Sequence, residues 1–277
     1  MPKIQDVLLS NQQAVPAIGQ GTWFMGENPN IRQQEIAALR HGIELGLTLI
    51  DTATMYGDGL AEQLVGEAIT PVRDDVFLVD KVLPYEASYA GVISSCEGSL
   101  ERLGTDYIDL LLLHWPGSHP VEETVRGFEN LKDRGLIGDW GVSNFDSDEL
   151  HALPASPLVN QVLYNPSRRG VEFDLLPLHS AAAPQITTMA YSPIEQGRLL
   201  ADPTLRAVAE DLGASIAQLL IAWAIRDGST IAIPKSSRVE HTAENAASAQ
   251  LRLTDQHIEA INNAFPAPLY PTPLEML

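Results

Sequence analysis

The chain has 277 residues, 36 acidic against 17 basic side chains and a formal net charge of −19 at pH 7. This acidic balance disfavours binding to nucleic acids and to anionic membranes, because both require a basic footprint. Hydrophobic residues make up 45% of the chain, which is enough for a sizeable core. Because the net charge is negative, any anionic ligand must be held by local cationic groups against the overall field.

Targeting signals and cysteine usage favour a soluble, cytoplasmic protein. Residues 1–6 lack the charged-then-apolar layout of a signal peptide. No apolar run approaches the roughly 20 residues that span a bilayer. Cys96 is the only cysteine, so no internal disulfide can form, and its helix-like surroundings favour a buried, inert thiol.

Eight strand-like segments alternate with helix-like segments along the chain. They cover residues 17–23, 47–51, 76–81, 107–114, 137–144, 158–162, 186–191 and 230–235. Such alternation is typical of parallel βα units and predicts an α/β fold in which residues 1–277 form a single (β/α)8 TIM barrel. A doubly wound sheet is the alternative. Residues 7–9 and 13–15 predict a β-hairpin that closes the barrel floor.

Cap residues and glycines mark the predicted helix ends. Asn30 is predicted to cap the first helix at its N-terminus. Gly46, Gly104 and Gly135 are expected just past the ends of helices, where a positive φ is needed. Gly228 is expected to stop the helix that contains the apolar run 219–225.

Polar side chains follow seven consecutive strands at their carboxyl ends. They are Asp51, Lys81, His114, Ser143, Asn144, Gln161, Tyr191, Ser192, Lys235 and Ser236. In a (β/α) barrel these ends meet on one face, where active sites are built. One polar strand end would be weak evidence, but seven in succession predict a functional site on this face.

Four of these candidates, Asp51, Tyr56, Lys81 and His114, form a set suited to carbonyl reduction. A lysine ammonium favours the phenolate of a nearby tyrosine and lowers its pKa, while a carboxylate keeps the lysine charged. A histidine can donate to a carbonyl oxygen and orient it. Taken singly, Tyr56 is more typical of an aromatic residue at the rim of a barrel, and Asp51 could cap the next helix. The interpretation therefore depends on the combination. No metal is expected, because the His-x-His motif and clustered carboxylates of metal-dependent barrel hydrolases are absent.

The chain resembles the aldo-keto reductase family from about residue 17 to about residue 263, and most closely its short bacterial branch, which includes reductases of methylglyoxal and other small aldehydes. The segments that carry the resemblance are Gly21-Thr22-Trp23, Leu49-Ile50-Asp51-Thr52-Ala53-Thr54-Met55-Tyr56-Gly57, Leu112-Leu113-His114-Trp115-Pro116, Trp140-Gly141-Val142-Ser143-Asn144-Phe145, Asn160-Gln161-Val162, Ala190-Tyr191-Ser192-Pro193 and Ile233-Pro234-Lys235-Ser236. Their order and spacing agree with the family throughout.

The resemblance implies a barrel that binds NADPH across its carboxyl-terminal face without a Rossmann fold. It implies a catalytic tetrad of Asp51, Tyr56, Lys81 and His114, with Tyr56 as general acid. The implied cofactor-binding residues are Thr22, Trp23, Ser143, Asn144, Gln161, Tyr191, Ser192, Pro193, Arg198, Lys235, Ser236, Ser237, Arg238, His241, Glu244 and Asn245. Among them, Ser143, Asn144 and Gln161 match positions that hold the nicotinamide carboxamide, Tyr191 the stacking aromatic, and Lys235 and Ser236 the adenosine-side phosphate site.

Two positions depart from the family pattern. His241 stands where an arginine commonly grips the 2′-phosphate, so we expect NADPH preference with some tolerance of NADH, and Arg238 as a compensating cation. Asp80 stands where a small hydroxyl residue usually precedes the catalytic lysine. Strand alternation points Asp80 away from Lys81, and we expect a paired or solvated carboxylate outside the pocket.

The substrate side is the least determined part of the prediction. Trp23, Tyr85 and Trp115 are expected as walls of an apolar cup, with Leu269 and Tyr270 of the proline-rich tail as further candidates. The resemblance implies a monomer that reduces small aldehydes and ketones. The alternative is a barrel without catalytic activity that senses the nicotinamide cofactor or acts as a regulatory subunit.

Overall fold

Eight parallel strands ring a central barrel in the computed structural model, which describes residues 3–277. The barrel strands are β3 (Gln20–Gly21), β4 (Leu49–Asp51), β5 (Phe77–Val82), β6 (Ile108–Leu113), β7 (Ile137–Ser143), β8 (Val159–Leu163), β9 (Thr187–Tyr191) and β10 (Thr230–Ile233). They pair in chain order from β3 to β10. Parallel bridges from Ile18 to Ala232 and from Gly21 to Lys235 join the two ends, and the predicted (β/α)8 barrel is confirmed.

Ten α-helices in the described part of the chain accompany the strands and cover the outside of the barrel. They are α1 (Arg32–Glu44), α2 (Leu60–Ile69), α3 (Tyr89–Leu103), α4 (Val121–Asp133), α5 (Ser147–His151), α6 (Leu175–Ala181), α7 (Pro203–Asp211), α8 (Ile216–Ala224), α9 (Val239–Ala247) and α10 (Asp255–Ala264). No single helix among residues 3–277 is long and apolar enough to cross a membrane; α7 and α8 meet that test only as a pair bent by 87°.

The N-terminal hairpin closes one end of the barrel, as predicted. Its strands β1 (Asp6–Leu8) and β2 (Ala14–Pro16) pair in antiparallel register. Val7 and Val15 are buried in the same apolar cluster as the inward-facing strand residue Leu110. The hairpin therefore fills the barrel at the amino ends of its strands and leaves the carboxyl ends free for a site.

Alternation along β5 sorts its side chains between two apolar layers. Phe77 and Val79 belong to the cluster inside the barrel, whereas Leu78 and Val82 belong to the layer between barrel and helices. Because side chains alternate in a strand, Lys81 shares the inner face with Val79. This alternation brings the lysine ammonium into the carboxyl-terminal mouth of the barrel.

Three local predictions need correction. The first barrel strand forms a ladder only at β3, because its flanks contribute isolated bridges instead of continuous pairing. Asn30 does not cap α1; its amide bonds to the Asn28 side chain in a turn, and Ile31 occupies the cap position. Gly228 lies three residues past the Ile225 cap of α8, in the turn that leads to β10.

Candidate active site

A buried lysine connects the candidate tetrad beneath the mouth of the barrel. The Nζ atom of Lys81 donates to Asp51 Oδ2 at 2.8 Å, to the Thr52 carbonyl at 2.8 Å and to the Tyr56 hydroxyl at 3.2 Å. Lys81 is fully buried and Asp51 is nearly so. The ammonium thus has three acceptors, as a buried cation requires.

Strand register explains how these residues meet. Asp51 ends β4 and pairs with Val79 of β5, so Lys81 lies one inward-facing position further toward the barrel mouth. Tyr56 lies in the loop that follows β4, where its amide bonds to the Ala53 carbonyl. His114 follows β6 directly, and its amide bonds to the Val82 carbonyl.

Electrostatics fix the protonation states of the lysine and the tyrosine. Burial opposes the charged form of Lys81, but the Asp51 carboxylate and the Tyr56 hydroxyl hold its pKa above the usual value. Burial also raises the pKa of Tyr56, and Lys81 offsets this only in part. The lysine does lower the pKa of Tyr56, as expected, but burial outweighs it, so the net pKa lies above the usual value. The phenol retains its proton, as a general acid must.

His114 faces the cavity as a neutral imidazole. Burial and the charge of Lys81 lower its pKa to about 2. Its Nδ1 atom is buried without a hydrogen-bond partner among the described residues. Its ring meets the Tyr56 ring edge-on, with centroids 5.9 Å apart. A neutral ring in this position can donate one N–H to a carbonyl oxygen next to the Tyr56 hydroxyl.

A cavity of about 710 Å³ opens above the tetrad. Its lining includes the predicted residues Thr22, Trp23, Asp51, Tyr56, His114, Trp115, Ser143, Asn144, Gln161, Tyr191, Ser192, Pro193 and Lys235. Gly21 also lines it, and a Cβ atom there would come within 2.8 Å of the Ile233 carbonyl. The predicted wall Tyr85 is not among the lining residues: it is 72% exposed, and the amide of the following residue, Glu86, closes a turn to the Leu83 carbonyl.

One wall of the cavity is polar and is connected to the tetrad. The side-chain amide of Gln161 donates to Asp51 Oδ1 at 2.7 Å, and the amide of Asn144 donates to the His114 carbonyl at 3.1 Å. The Tyr191 hydroxyl donates to Asn144 Oδ1 at 2.9 Å. Amide groups beside an aromatic ring suit a flat carboxamide-bearing ring such as nicotinamide.

Lys235 lines the other end of the cavity, and Arg238 follows it three residues later in the chain; both lack acidic partners among the described residues. Within residues 3–277, neither Lys235 nor Arg238 has a carboxylate within 4.0 Å, although eight of the 13 arginines are paired. Lys235 Nζ donates to Ser237 Oγ at 2.7 Å, and the Arg238 amide donates to Ser236 Oγ. Burial lowers the pKa of Lys235, although Glu35 and Glu27 act in the opposite direction. Free cations beside hydroxyl groups fit the phosphates of a dinucleotide.

The remaining predicted cofactor residues lie outside the cavity lining. His241, Glu244 and Asn245 belong to α9, which begins directly after Arg238. Arg198 is exposed and bonds to Glu195 Oε1 at 3.3 Å in the loop after β9. In that loop Gln196, which has a positive φ of 53°, also lines the cavity.

Six apolar lining residues were missed by the sequence analysis: Phe24, Met55, Ile194, Ile233, Met276 and Leu277. Phe24 stacks on Trp23 with ring centroids 4.5 Å apart. Next to the tail residues, Glu275 pairs with Arg168, over one hundred residues away in the chain, and Leu274 packs against the core. Leu269 and Tyr270, which were predicted, are largely exposed and lie outside the lining.

Asp80 and Cys96 lie behind the site, in the layer between barrel and helices. Asp80 points outward as predicted, but it is fully buried, and neither of its oxygens has a hydrogen-bond partner among the described residues. The expectation of a paired or solvated carboxylate is therefore wrong, because α2 and α3 cover this face of β5.

Cys96 is buried, and burial raises the pKa of its thiol to about 12. Residues 3–277 contain no group of three or more His, Cys, Asp or Glu side chains placed to hold a metal ion.

Comparisons with known proteins agree with this geometry. Residues 17–265 match the Aldo/keto reductase family. The chain is 47% identical to methylglyoxal reductase YeaE of Escherichia coli K12, covering 98% of both chains, and 34% identical to an aldo-keto reductase of Mycolicibacterium smegmatis, covering 92% of this chain and 91% of that one. The structure superposes on an aldo/keto reductase from Klebsiella pneumoniae in complex with NADP and acetate with a TM-score of 0.95 and 44% identity, covering 99% of this chain and all of the other. A Klebsiella structure in complex with NADPH gives a TM-score of 0.94 at 44% identity and the same coverage.

Proposed function

The chain belongs to the aldo/keto reductase family and is an NADP-dependent oxidoreductase, and from this premise we propose that it reduces aldehydes and ketones to alcohols at Tyr56. The observation that carries the proposal is the hydrogen-bonded series Asp51–Lys81–Tyr56 beneath a cavity with His114 at its edge. This arrangement delivers one proton to an oxygen atom and stabilises the phenolate that remains.

The residues at both ends of the cavity fit the cofactor. Ser143, Asn144 and Gln161 would hold the nicotinamide carboxamide, and Tyr191 would offer its ring face. Lys235 and the hydroxyl-rich turn after it would hold phosphate. When bound, NADPH supplies a hydride to the carbonyl carbon.

Each tetrad residue has its own role in orienting the carbonyl group and transferring the proton. His114 donates an N–H to the carbonyl oxygen and aims it at the Tyr56 hydroxyl. Tyr56 gives its proton to that oxygen as negative charge develops. Lys81 stabilises the resulting phenolate at the 3.2 Å contact, and Asp51 keeps Lys81 charged and in place. A neutral histidine suits this role because it leaves Tyr56 as the sole proton donor.

The shape and polarity of the cavity define the substrate class. Trp23, Phe24, Trp115 and Met276 give the substrate side apolar walls, and Lys235 at the cofactor end is the only lysine or arginine among the lining residues described. We propose that neutral aliphatic and aromatic aldehydes and α-ketoaldehydes are substrates. The similarity to methylglyoxal reductase YeaE supports the last of these. Anionic carbonyl compounds such as 2-oxo acids should be poor substrates, because no cation on the substrate side would hold a carboxylate.

The test is the loss of nicotinamide absorbance with NADPH and a panel of small aldehydes, for wild type beside Tyr56→Phe. Y56F removes the proton donor and keeps the ring, so we expect kcat to fall about 100-fold or more. Binding of NADPH should persist, as measured by quenching of protein fluorescence. Turnover that survives in Y56F would exclude Tyr56 as the acid. Absence of wild-type turnover, with tight NADPH binding, would favour the cofactor-sensor alternative.

A further inference from the structure

A buried carboxylate lies behind the proposed phosphate site. Glu35 of α1 is 1% exposed and makes no ion pair within 4.0 Å with any described cation. Its Oε2 atom accepts the Gly26 amide at 2.9 Å, and its Oε1 atom accepts the Ser237 hydroxyl at 2.9 Å. The side chain of Gln34 fastens the same turn by donating to the Ser237 carbonyl at 2.7 Å. A buried negative charge therefore lies directly behind the proposed phosphate site.

Only one assignment of donors and acceptors satisfies both side-chain hydrogen bonds of the Ser237 hydroxyl. Lys235 carries an ammonium group, which can only donate, so Ser237 Oγ accepts from it at 2.7 Å. The carboxylate of Glu35 can only accept, so the single hydroxyl proton of Ser237 is committed to Glu35. The serine thus has no proton left for a phosphate oxygen, and Lys235 is tethered to a carboxylate through one hydroxyl.

We propose that Glu35 is a determinant of cofactor choice: it weakens binding of the 2′-phosphate of NADPH and leaves NADH binding unaffected. The inference rests on the proposed function, in which the adenosine-side phosphate lies at Lys235. A 2′-phosphate arriving there meets the charge of Glu35 and a serine that cannot donate. NADH lacks that phosphate and meets neither obstacle.

The substitution Glu35→Gln reverses both effects while conserving shape. The amide oxygen can accept the Gly26 N–H, and the amide NH2 can donate to Ser237 Oγ. The hydroxyl proton of Ser237 then becomes available to a phosphate oxygen, and the negative charge is gone. We expect NADPH to bind E35Q about tenfold more tightly than wild type, because a charge within a few ångströms of a partly buried site acts at a reduced effective dielectric constant.

The experiment is an equilibrium titration of wild type and E35Q with NADPH and with NADH, followed by protein fluorescence and by calorimetry. The expected result is a tenfold gain for NADPH and a change of less than twofold for NADH. Glu35→Ala, which removes the carboxylate and favours the helix, is the second variant and should shift the ratio of the two dissociation constants in the same direction. Circular dichroism and thermal melting check the fold of each variant.

Glu27→Gln provides the matched control. Glu27 is an exposed carboxylate whose charge also acts on Lys235. Solvent and salt screen it, so E27Q should change the ratio less than twofold. An unchanged ratio in both Glu35 variants, or equal tightening of both cofactors, would overturn the inference and leave the proposed function intact. Failure of wild type to bind NADPH at all would overturn the proposed function together with the inference.

Discussion

Asp80 shows how one residue can adjoin a catalytic group in the chain and yet face another environment. Its side chain lies in the apolar layer outside the barrel, where burial and the nearby charge of Glu62 raise its pKa to about 8. Glu62 is buried too, but Arg102 holds it with two hydrogen bonds of 2.6 and 3.0 Å. Among the described residues Asp80 has neither such a cation nor a hydrogen bond to its oxygens, so the neutral carboxyl is its favoured form at pH 7.

This difference in pKa predicts how Asp80 couples folding stability to pH. Between its unfolded pKa near 3.8 and its folded pKa of about 8, the native state keeps a proton that the unfolded chain releases. The free energy of unfolding contributed by Asp80 therefore falls as pH rises through this window, by up to about 1.4 kcal/mol per pH unit. Asp80→Asn removes the titration, so the stability of D80N relative to wild type should rise from pH 5 to pH 8 in urea unfolding. A difference that stays constant with pH would contradict this.

Two substitutions of Asp80 test whether its side chain acts on the reaction. Its side chain points away from Lys81, so we expect turnover of Asp80→Ser and D80N, and its pH profile, to match wild type. A shift of the profile in both variants would assign Asp80 a tuning role through Lys81.

At the scale of elements, prediction was most accurate where local signals and tertiary packing agree. The apolar run before Lys81 predicts a strand over residues 76–81, and β5 covers Phe77–Val82. Gly104 ends α3 with a φ of 64°, as its place after an apolar face predicts. Such strands are buried on both sides, so their composition alone distinguishes them from loops.

Elements fixed by distant contacts were beyond the reach of sequence reasoning. The tail has no periodic apolar pattern, and its contacts, such as the pairing of Glu275 with Arg168, are with residues distant in the chain. Tyr270, the aromatic residue of the tail, is exposed, whereas Met276 reaches the cavity. The net pKa of Tyr56 could not be predicted either, since the sequence reveals the neighbouring lysine but not the depth of burial.

The unit formed by β10 and α9 concentrates the proposed phosphate contacts. Lys235 and Arg238 precede α9, and His241 lies in its first turn. An imidazole is a weaker phosphate partner than a guanidinium group, so wild type should prefer NADPH over NADH by less than about a thousandfold in kcat/KM. His241→Arg should increase that preference about tenfold, chiefly through the KM for NADPH. A wild-type ratio above a thousand would show that Arg238 and Lys235 suffice without an arginine at this position.

On the scale of the whole molecule, the two ends of the barrel serve different purposes. The hairpin packs Val7 and Val15 into one end, so substitutions there should act on stability. The opposite end collects Asp51, Lys81 and His114 from three different strands or the loops after them. The barrel fixes these groups on rigid elements, while the surrounding loops and tail shape the cavity above them.

The net charge of −19 predicts an unusual salt dependence for cofactor association. NADPH is itself anionic, so at low ionic strength the field of the whole protein repels it, even though Lys235 and Arg238 attract it at close range. The Debye length shrinks from about 30 Å at 0.01 M salt to about 8 Å at 0.15 M, which screens the distant acidic groups more than the contacts in the site. The association rate constant measured by stopped-flow fluorescence should therefore rise several-fold over this range, whereas for most charged ligands steered to oppositely charged sites it falls. Uncharged sucrose at matched osmolarity serves as the control and should not reproduce the increase. A rate constant that falls with salt would mean that the local cations dominate the approach of the cofactor, and that the acidic surface lies too far from the cavity mouth to oppose it.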